Sequence, residues 1–112
     1  MQRQVGIIHV DSGAVLVTDP GYVKRFGEDH DLTVDLNELS MREPRSEGYR
    51  YSIKGAWEGR CNTLGAGQLV HDDGRPGAGV VAQSGFGDGE YPVFAEYDEE
   101  SGRVARLIVE FL

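Results

Sequence analysis

Three aspartates could supply carboxylate chemistry, because each stands beside glycine or proline at the end of a predicted strand: Asp11, Asp19 and Asp88. In a small sandwich or barrel the strand ends gather at two rims, so two of these carboxylates could share a cavity. Converging carboxylates raise one another's pKa or bind a divalent cation, which lowers the pKa of a bound water. The alternative is structural, since turn aspartates hydrogen-bond the backbone two residues on. The sequence leaves both interpretations open.

The segment around Asp88 is the most distinctive part of the chain. Residues 85–92 read GFGDGEYP, and glycines at alternate positions indicate a loop that needs positive φ or close backbone approach. A phosphate loop is excluded, because no Gly-Lys-Ser or Gly-Lys-Thr follows and a strand, not a helix, comes next. The oxygen spacing of a helix-loop-helix calcium site is also absent. A ligand site here would use Asp11, Asp19 and Asp88, as metal ligands if a divalent cation binds, with Tyr22 and Tyr91 lining its mouth.

Other site chemistries find little support in the sequence. The three histidines, His9, His30 and His71, do not have the spacing of metal ligands. A single cysteine cannot build a thiolate zinc site, and Cys61 is predicted to be a small buried hydrophobic residue. Apart from a divalent cation, we expect no cofactor.

Size and composition predict one soluble domain. A chain of 112 residues with 39% hydrophobic content can bury a core, and we expect a single β domain over residues 1–112. No apolar run approaches the roughly 20 residues of a membrane span, so no membrane association is expected. The lone cysteine and the lack of a secretion-type leader predict a cytoplasmic protein.

The net charge of the chain limits which classes of binding partner are expected. Nineteen acidic residues against eleven basic ones give a net charge of -8. Such a surface repels phosphate backbones, which disfavours nucleic acid as a partner. It suits a basic protein or a cation, or it serves solubility alone.

Alternating apolar and polar residues predict strands along most of the chain. Residues 5–10 and 14–18 are expected to form an opening hairpin, and the Asp19-Pro20-Gly21-Tyr22 segment a type II turn. Strands at 68–71 and 79–84 flank a turn, and strands from residue 91 and up to residue 111 form a terminal hairpin.

The middle of the chain is predicted less regularly. Residues 33–41 have the pattern of one short helix, residues 49–54 alternate as a half-buried strand, and residues 56–63 continue or follow that strand. The fold class is therefore all-β: a small antiparallel sandwich or partly open barrel of seven to eight strands with at most one short helix.

Taken together, the Asp11-Ser12-Gly13 turn, the Asp19-Pro20-Gly21-Tyr22 segment and residues 87–93 (GDGEYPV) resemble an uncharacterised group of bacterial and phage proteins of unknown function. The terminal segment, with Arg103 near the start of its last strand, is also similar to the end of a larger bacterial domain of unknown function. That domain is associated in places with toxin-immunity genes. The resemblance implies one recurring framework for the three aspartate turns, and it implies no activity.

Two functions of different class fit these observations. The first, which we favour, is a non-enzymatic binding or regulatory module, such as an immunity-type or phage accessory protein that binds a protein partner. The second is a ligand- or divalent-metal-binding protein, with or without hydrolytic activity, that has its site at the three aspartates. An unpaired strand near either end of the chain could also pair across a homodimer.

Overall fold

The computed structural model describes residues 1–26, 42–85 and 87–111. The strands are β1 (Gln2–Val10), β2 (Ala14–Thr18), β3 (Tyr49–Arg50), β4 (Ala66–Val70), β5 (Pro76–Gln83), β6 (Gly89–Tyr97) and β7 (Val104–Val109). They form two open sheets, which confirms the all-β class. The chain divides into two compact units, Met1–Gly13 with Ser84–Leu112, and Ala14–Gln83, and each is described by itself. A single domain over residues 1–112 stays a prediction.

The first unit is a three-stranded antiparallel sheet in the order β1-β6-β7. Its β6–β7 pairing confirms the predicted terminal hairpin. Along β6 the alternate residues Tyr91, Val93 and Ala95 are buried, as expected when a period-2 pattern turns one face of a strand away from solvent.

The predicted opening hairpin is wrong, although both of its strands exist. β1 pairs with β6, and β2 pairs with β5, so the Asp11–Gly13 turn connects strands of different sheets. A turn sequence sets where the chain reverses but does not select the hydrogen-bonding neighbour. β1 instead pairs with β6 along its whole length, from Gln2 opposite Glu96 to Val10 opposite Gly89.

The second unit contains a four-stranded sheet in the order β2-β5-β4-β3. Its β4–β5 pairing confirms the predicted central hairpin, and the pairing of β3 with β4 is parallel, which corrects the expectation of a purely antiparallel fold. The core is a cluster of buried residues from three segments of this unit: Tyr49, Tyr51, Leu69, Ala78 and Val81.

A helix replaces most of the predicted strand at residues 49–54 and its continuation at 56–63. Only Tyr49–Arg50 is a strand, and helix α1 (Ile53–Arg60) follows. Ser52 starts the helix, because its hydroxyl oxygen accepts a hydrogen bond from the Gly55 N–H at 3.0 Å. Glycine is a poor helix former, so Gly55 and Gly59 conceal the helix in the sequence.

These glycines let α1 lie directly on its neighbours. A Cβ atom on Gly55 would stand 1.8 Å from the carbonyl oxygen of Arg50, and one on Gly59 would stand 2.9 Å from the Val81 side chain. On the sheet side, a Cβ atom on Gly67 would stand 2.7 Å from the Gly59 carbonyl oxygen. The helix therefore packs by backbone contact, which side chains at these positions would prevent.

The predicted helix at residues 33–41 lies outside the described residues. None of the helices that the structure describes is long and apolar enough to cross a membrane.

We expect Gly55→Ala to destabilise the protein by about 3 kcal/mol or more, because a backbone oxygen occupies the place of the new methyl group. This cost exceeds the gain of about 1 kcal/mol in helix propensity. The control is Gly6→Ala in β1, where no atom lies within 4 Å of the new Cβ and the change should stay within about 0.5 kcal/mol. Urea unfolding measures both free energies, and similar values for the two variants would contradict the close-approach argument.

Candidate functional site

Asp19 has a structural task in its turn. Its Oδ1 accepts a hydrogen bond from the Gly21 N–H at 2.7 Å and caps a 3-10 helix over Pro20–Arg25. The predicted type II turn is therefore wrong, since Gly21 does not take the positive φ that such a turn requires. Proline at the first helical position favours the 3-10 helix, because its fixed φ suits that position and its missing N–H would have no partner there.

The Gly-Asp-Gly loop is held by its neighbours rather than by its aspartate. The Gly87 carbonyl oxygen accepts hydrogen bonds from Ser84 Oγ and from the Tyr91 hydroxyl, the latter at 2.7 Å. The Gly87 N–H donates to the Ser84 carbonyl oxygen at 2.9 Å, with Gly87 at φ +86°. The ring of Tyr91 packs edge-on against Phe111, with centroids 5.4 Å apart. Tyr91 thus anchors the loop.

The side chains of Asp11 and Asp88 are both exposed. Within residues 1–26, 42–85 and 87–111, neither carboxylate has a hydrogen bond or an ion pair. Among the described residues of its loop, Asp88 caps no backbone N–H, in contrast to Asp19, which caps the 3-10 helix.

Asp11 and Asp88 belong to the first unit, and Asp19 belongs to the second. No group of three or more His, Cys, Asp or Glu side chains placed to hold a metal ion occurs in the part of the chain that the structure describes. A ligand or divalent cation shared by the three aspartates stays a prediction.

The two kinds of aspartate should respond differently to truncation. We expect Asp19→Ala to lower the free energy of unfolding by about 1 kcal/mol, because the capping hydrogen bond is lost. Asp88→Ala should change it by less than about 0.5 kcal/mol. Urea unfolding without added metal compares the two variants with the wild type, and an equal loss would show that Asp88 carries a structural interaction of its own.

Tyr22 leads to a different group of residues in the second unit. Its ring packs edge-on against His71, with centroids 5.3 Å apart, and against Tyr51 at 6.4 Å. The Arg25 guanidinium lies 4.7 Å from the centroid of the Tyr22 ring. The Tyr51 hydroxyl donates to the Tyr22 carbonyl oxygen at 3.0 Å, which ties the 3-10 helix to the core. Tyr22 therefore joins the capped turn to a histidine and an arginine.

Two cavities share His71 and Asp72 as lining residues, and we call them together the His71 groove. One measures about 220 Å³ and is walled by Tyr51, and the other measures about 450 Å³ and extends toward Gly48 and Val70. Seven arginine, aspartate and glutamate residues line the groove: Arg25, Arg45, Arg50, Arg75, Glu47, Asp72 and Asp73.

The β4–β5 turn holds one wall of the groove. The His71 N–H donates to the Arg75 carbonyl oxygen at 2.9 Å, and the Gly74 N–H donates to the His71 carbonyl oxygen at 2.8 Å. Asp73 Oδ1 accepts from the Arg75 N–H at 3.0 Å, and its Oδ2 accepts from Arg75 Nε at 2.6 Å. The turn thus fixes the backbone positions of His71 and Arg75 through short local hydrogen bonds.

Two of the three carboxylates in the groove already have cationic partners. The pKa of Asp73 is lowered by the hydrogen bond from the Arg75 backbone and then by the Arg75 side chain. Glu47 Oε1 accepts from Arg45 Nε at 3.1 Å, and the pKa of Glu47 is lowered by a hydrogen bond with its own backbone and then by Arg45. The groove therefore contains four arginines and three carboxylates, and two of these carboxylates already form an ion pair with an arginine.

The sequence singled out Tyr22 but did not identify Arg25, His71 and Arg75 as members of one site. The sequence predicts only a turn between the strands at 68–71 and 79–84, and it gives Arg25 no role. Arg25, His71 and Arg75 come together because the 3-10 helix packs against Tyr51, and the spacing of residues along the sequence does not indicate this packing. The available signal was the placement of His71 and Arg75 on either side of a tight turn.

Cys61 is buried, as predicted, at 4% exposure. It ends α1, and its N–H donates to the Glu58 carbonyl oxygen at 3.1 Å. Burial raises the pKa of its thiol, and the nearby Arg60 offsets part of that rise. A raised pKa lowers the thiolate fraction, so Cys61 has the character of a packing residue rather than a nucleophile.

Cys61 should therefore resist thiol reagents. We expect the native protein at pH 8 to react with a disulfide reagent about a hundredfold more slowly than the unfolded protein, because the thiol is both buried and protonated. A second thiol introduced by Val23→Cys, where the native side chain is 59% exposed, supplies a fast internal control. Absorbance at the wavelength of the released thiolate follows both reactions. Equal rates at the two positions would contradict the assignment.

The described strands and the His71 groove define an all-β protein with an arginine-rich groove. The model of the family described as "Protein of unknown function (DUF4241)" matches residues 6–109, and the chain belongs to that family. This confirms the expected membership in a family of unknown function. No curated protein and no solved structure matches the chain.

Proposed function

We propose that this chain is a non-enzymatic binding module whose His71 groove receives an acidic segment of a protein partner. The observation that carries the proposal is the concentration of arginine in the groove. Four of the eleven basic residues of the chain line it, although the net charge of the chain is -8. Arginine presents several N–H donors in a planar fork that matches carboxylate geometry.

The arginines of the groove differ in whether their side chains already form an ion pair. Arg75 and Arg45 already bind Asp73 and Glu47. Arg25 lies over the Tyr22 ring, an interaction that restrains the guanidinium without using its N–H donors. Among the described residues Arg25 has no ion pair, so a further carboxylate can bind there without displacing one, which makes Arg25 the expected centre of recognition.

A protein partner suits the surroundings of Arg25. Tyrosine and arginine are the residue types that contribute most to protein interfaces, and both occur here together. Val23, in the same 3-10 helix, is 59% exposed and offers an apolar contact next to the charge. The narrower regulatory role, as an immunity-type or phage accessory protein, is supported by the sequence resemblance alone.

The test uses a fluorescent oligoglutamate peptide as the acidic probe and an oligoglutamine peptide of the same length as the uncharged one. We expect fluorescence anisotropy to show binding of oligoglutamate only, with an affinity that falls as salt rises. The double variant Arg25→Gln/Arg50→Gln should weaken binding by about tenfold, which is about 1.4 kcal/mol.

The matched control is Arg3→Gln/Arg106→Gln, which removes the same charge from the first unit. Equal weakening by this control would show general electrostatic attraction and overturn the assignment to the groove. Competition by inorganic phosphate at concentrations similar to those of the peptide would assign the groove to small anions and would also contradict a protein partner. Lack of oligoglutamate binding at low salt would contradict the proposal as a whole.

A further inference from the structure

Strand β7 is an edge of the first unit's sheet in the part of the chain that the structure describes, where its one neighbour is β6. An unpaired edge exposes a row of N–H and C=O groups that can pair with another chain, and proteins usually protect it with charged side chains, proline or a bulge. β7 has one charged residue, Arg106, and one bulge, and it contains neither proline nor lysine. Val104 is 57% exposed and Leu107 is 61% exposed, so this edge is accessible.

The hydrogen bonds to β6 determine which backbone groups of β7 point away from it. The Glu110 N–H donates to the Pro92 carbonyl oxygen, and the Arg103 carbonyl oxygen accepts from the Asp98 N–H. Because successive residues of a strand alternate in direction, Arg106 and Ile108 also point toward β6. Leu107 and Val109 therefore direct their N–H and C=O groups outward.

A bulge in β7 changes this alternation at one point. Leu107 lies opposite Ala95 and Val104 lies opposite Tyr97, so β7 has one more residue than β6 between these pairs. The extra residue places Val104 on the same face of the sheet as Leu107 and Val109. It also turns the backbone groups of Val104 outward, next to those of Leu107.

We propose that β7 pairs antiparallel with β7 of a second copy of this chain, with Leu107 opposite the partner's Leu107 on the two-fold axis. A two-fold axis perpendicular to a sheet requires that paired residues share a face of the sheet. The pair formed by Leu107 and the partner's Leu107 meets this requirement. When the pairs are counted outward from Leu107 and past the bulge, Val104 lies opposite the partner's Val109. Arg103 then lies opposite the partner's Glu110.

Charge complementarity identifies the second copy as the occupant. The strand begins after Arg103 and ends before Glu110, so an antiparallel copy brings opposite charges together at both ends. Neither side chain has an ion pair within the described residues of one chain. The backbone N–H and C=O groups of Arg103 and Glu110 point toward β6. Across the dimer these two residues therefore form a non-hydrogen-bonded pair, in which the side chains are closely spaced. Parallel pairing in register would instead place like charges opposite each other.

This inference does not depend on the proposed function, because it uses the first unit and no residue of the His71 groove. Sedimentation velocity over a wide range of protein concentration tests it. We expect a monomer–dimer equilibrium in the wild type. The single variants Arg103→Glu and Glu110→Arg each oppose like charges at both ends of the pairing, and we expect each to weaken self-association by about tenfold or more.

Mixing provides the decisive result. The Arg103→Glu chain carries only acidic residues at the two positions and the Glu110→Arg chain only basic ones, so an equimolar mixture should form heterodimers. The double variant R103E/E110R should regain the homodimer. Recovery in both cases shows that the single variants fold. A wild type that stays monomeric, single variants that dimerise unchanged, or a mixture without heterodimers would each overturn the proposal.

The register has a separate test. In a hydrogen-bonded pair the two Cα atoms are about 5.5 Å apart, within the range of a disulfide. Leu107→Cys should therefore form a disulfide between two copies on mild oxidation, seen as a dimer on a non-reducing gel. Arg106→Cys should not, because its own copy is not opposite it. A disulfide in the second variant and none in the first would contradict the register.

Discussion

The carbonyl oxygen of Arg50 lies against the backbone of Gly55, and the second unit depends on that contact. It brings the start of α1 onto the strand that precedes it, with no side chain between them. Gly59 and Gly67 continue the approach one turn further along the helix. Tyr49 fills the remaining space, and its hydroxyl oxygen accepts from the side-chain amide of the buried Asn62, which also donates to the Gly59 carbonyl oxygen.

The same contact positions the His71 groove. With α1 following Ser52 directly, β3 is limited to two residues, and these pair in parallel with Leu69–Val70. The Tyr51 N–H then donates to the Val70 carbonyl oxygen, which places the Tyr51 ring beside the β4–β5 turn. The 3-10 helix packs on that ring through Tyr22 and Phe26. A groove with arginines from separate segments thus results from one short parallel pairing.

The sequence by itself determined the features that depend on neighbouring residues. Period-2 alternation located β6, because one buried face is enough to impose that pattern, and the apolar residues before the end of the chain located β7. The central hairpin followed from the turn residues between the apolar runs at 68–71 and 79–84. Cys61 was correctly predicted to be buried. The all-β class and the membership in a family of unknown function also followed from these local patterns.

Only the tertiary structure decided the features that join distant segments. α1 was hidden because Gly55 and Gly59 lower helix propensity, and their benefit appears only when a strand lies against them. The neighbour of β1 was decided by backbone pairing with β6 along the whole strand and not by the Asp11–Gly13 turn. Asp19 caps a 3-10 helix, whereas Asp88 has no hydrogen bond within the described residues, although both aspartates stand in turns. A local sequence pattern depends on the conformation of a few neighbouring residues, whereas a site depends on which distant segments the core brings together.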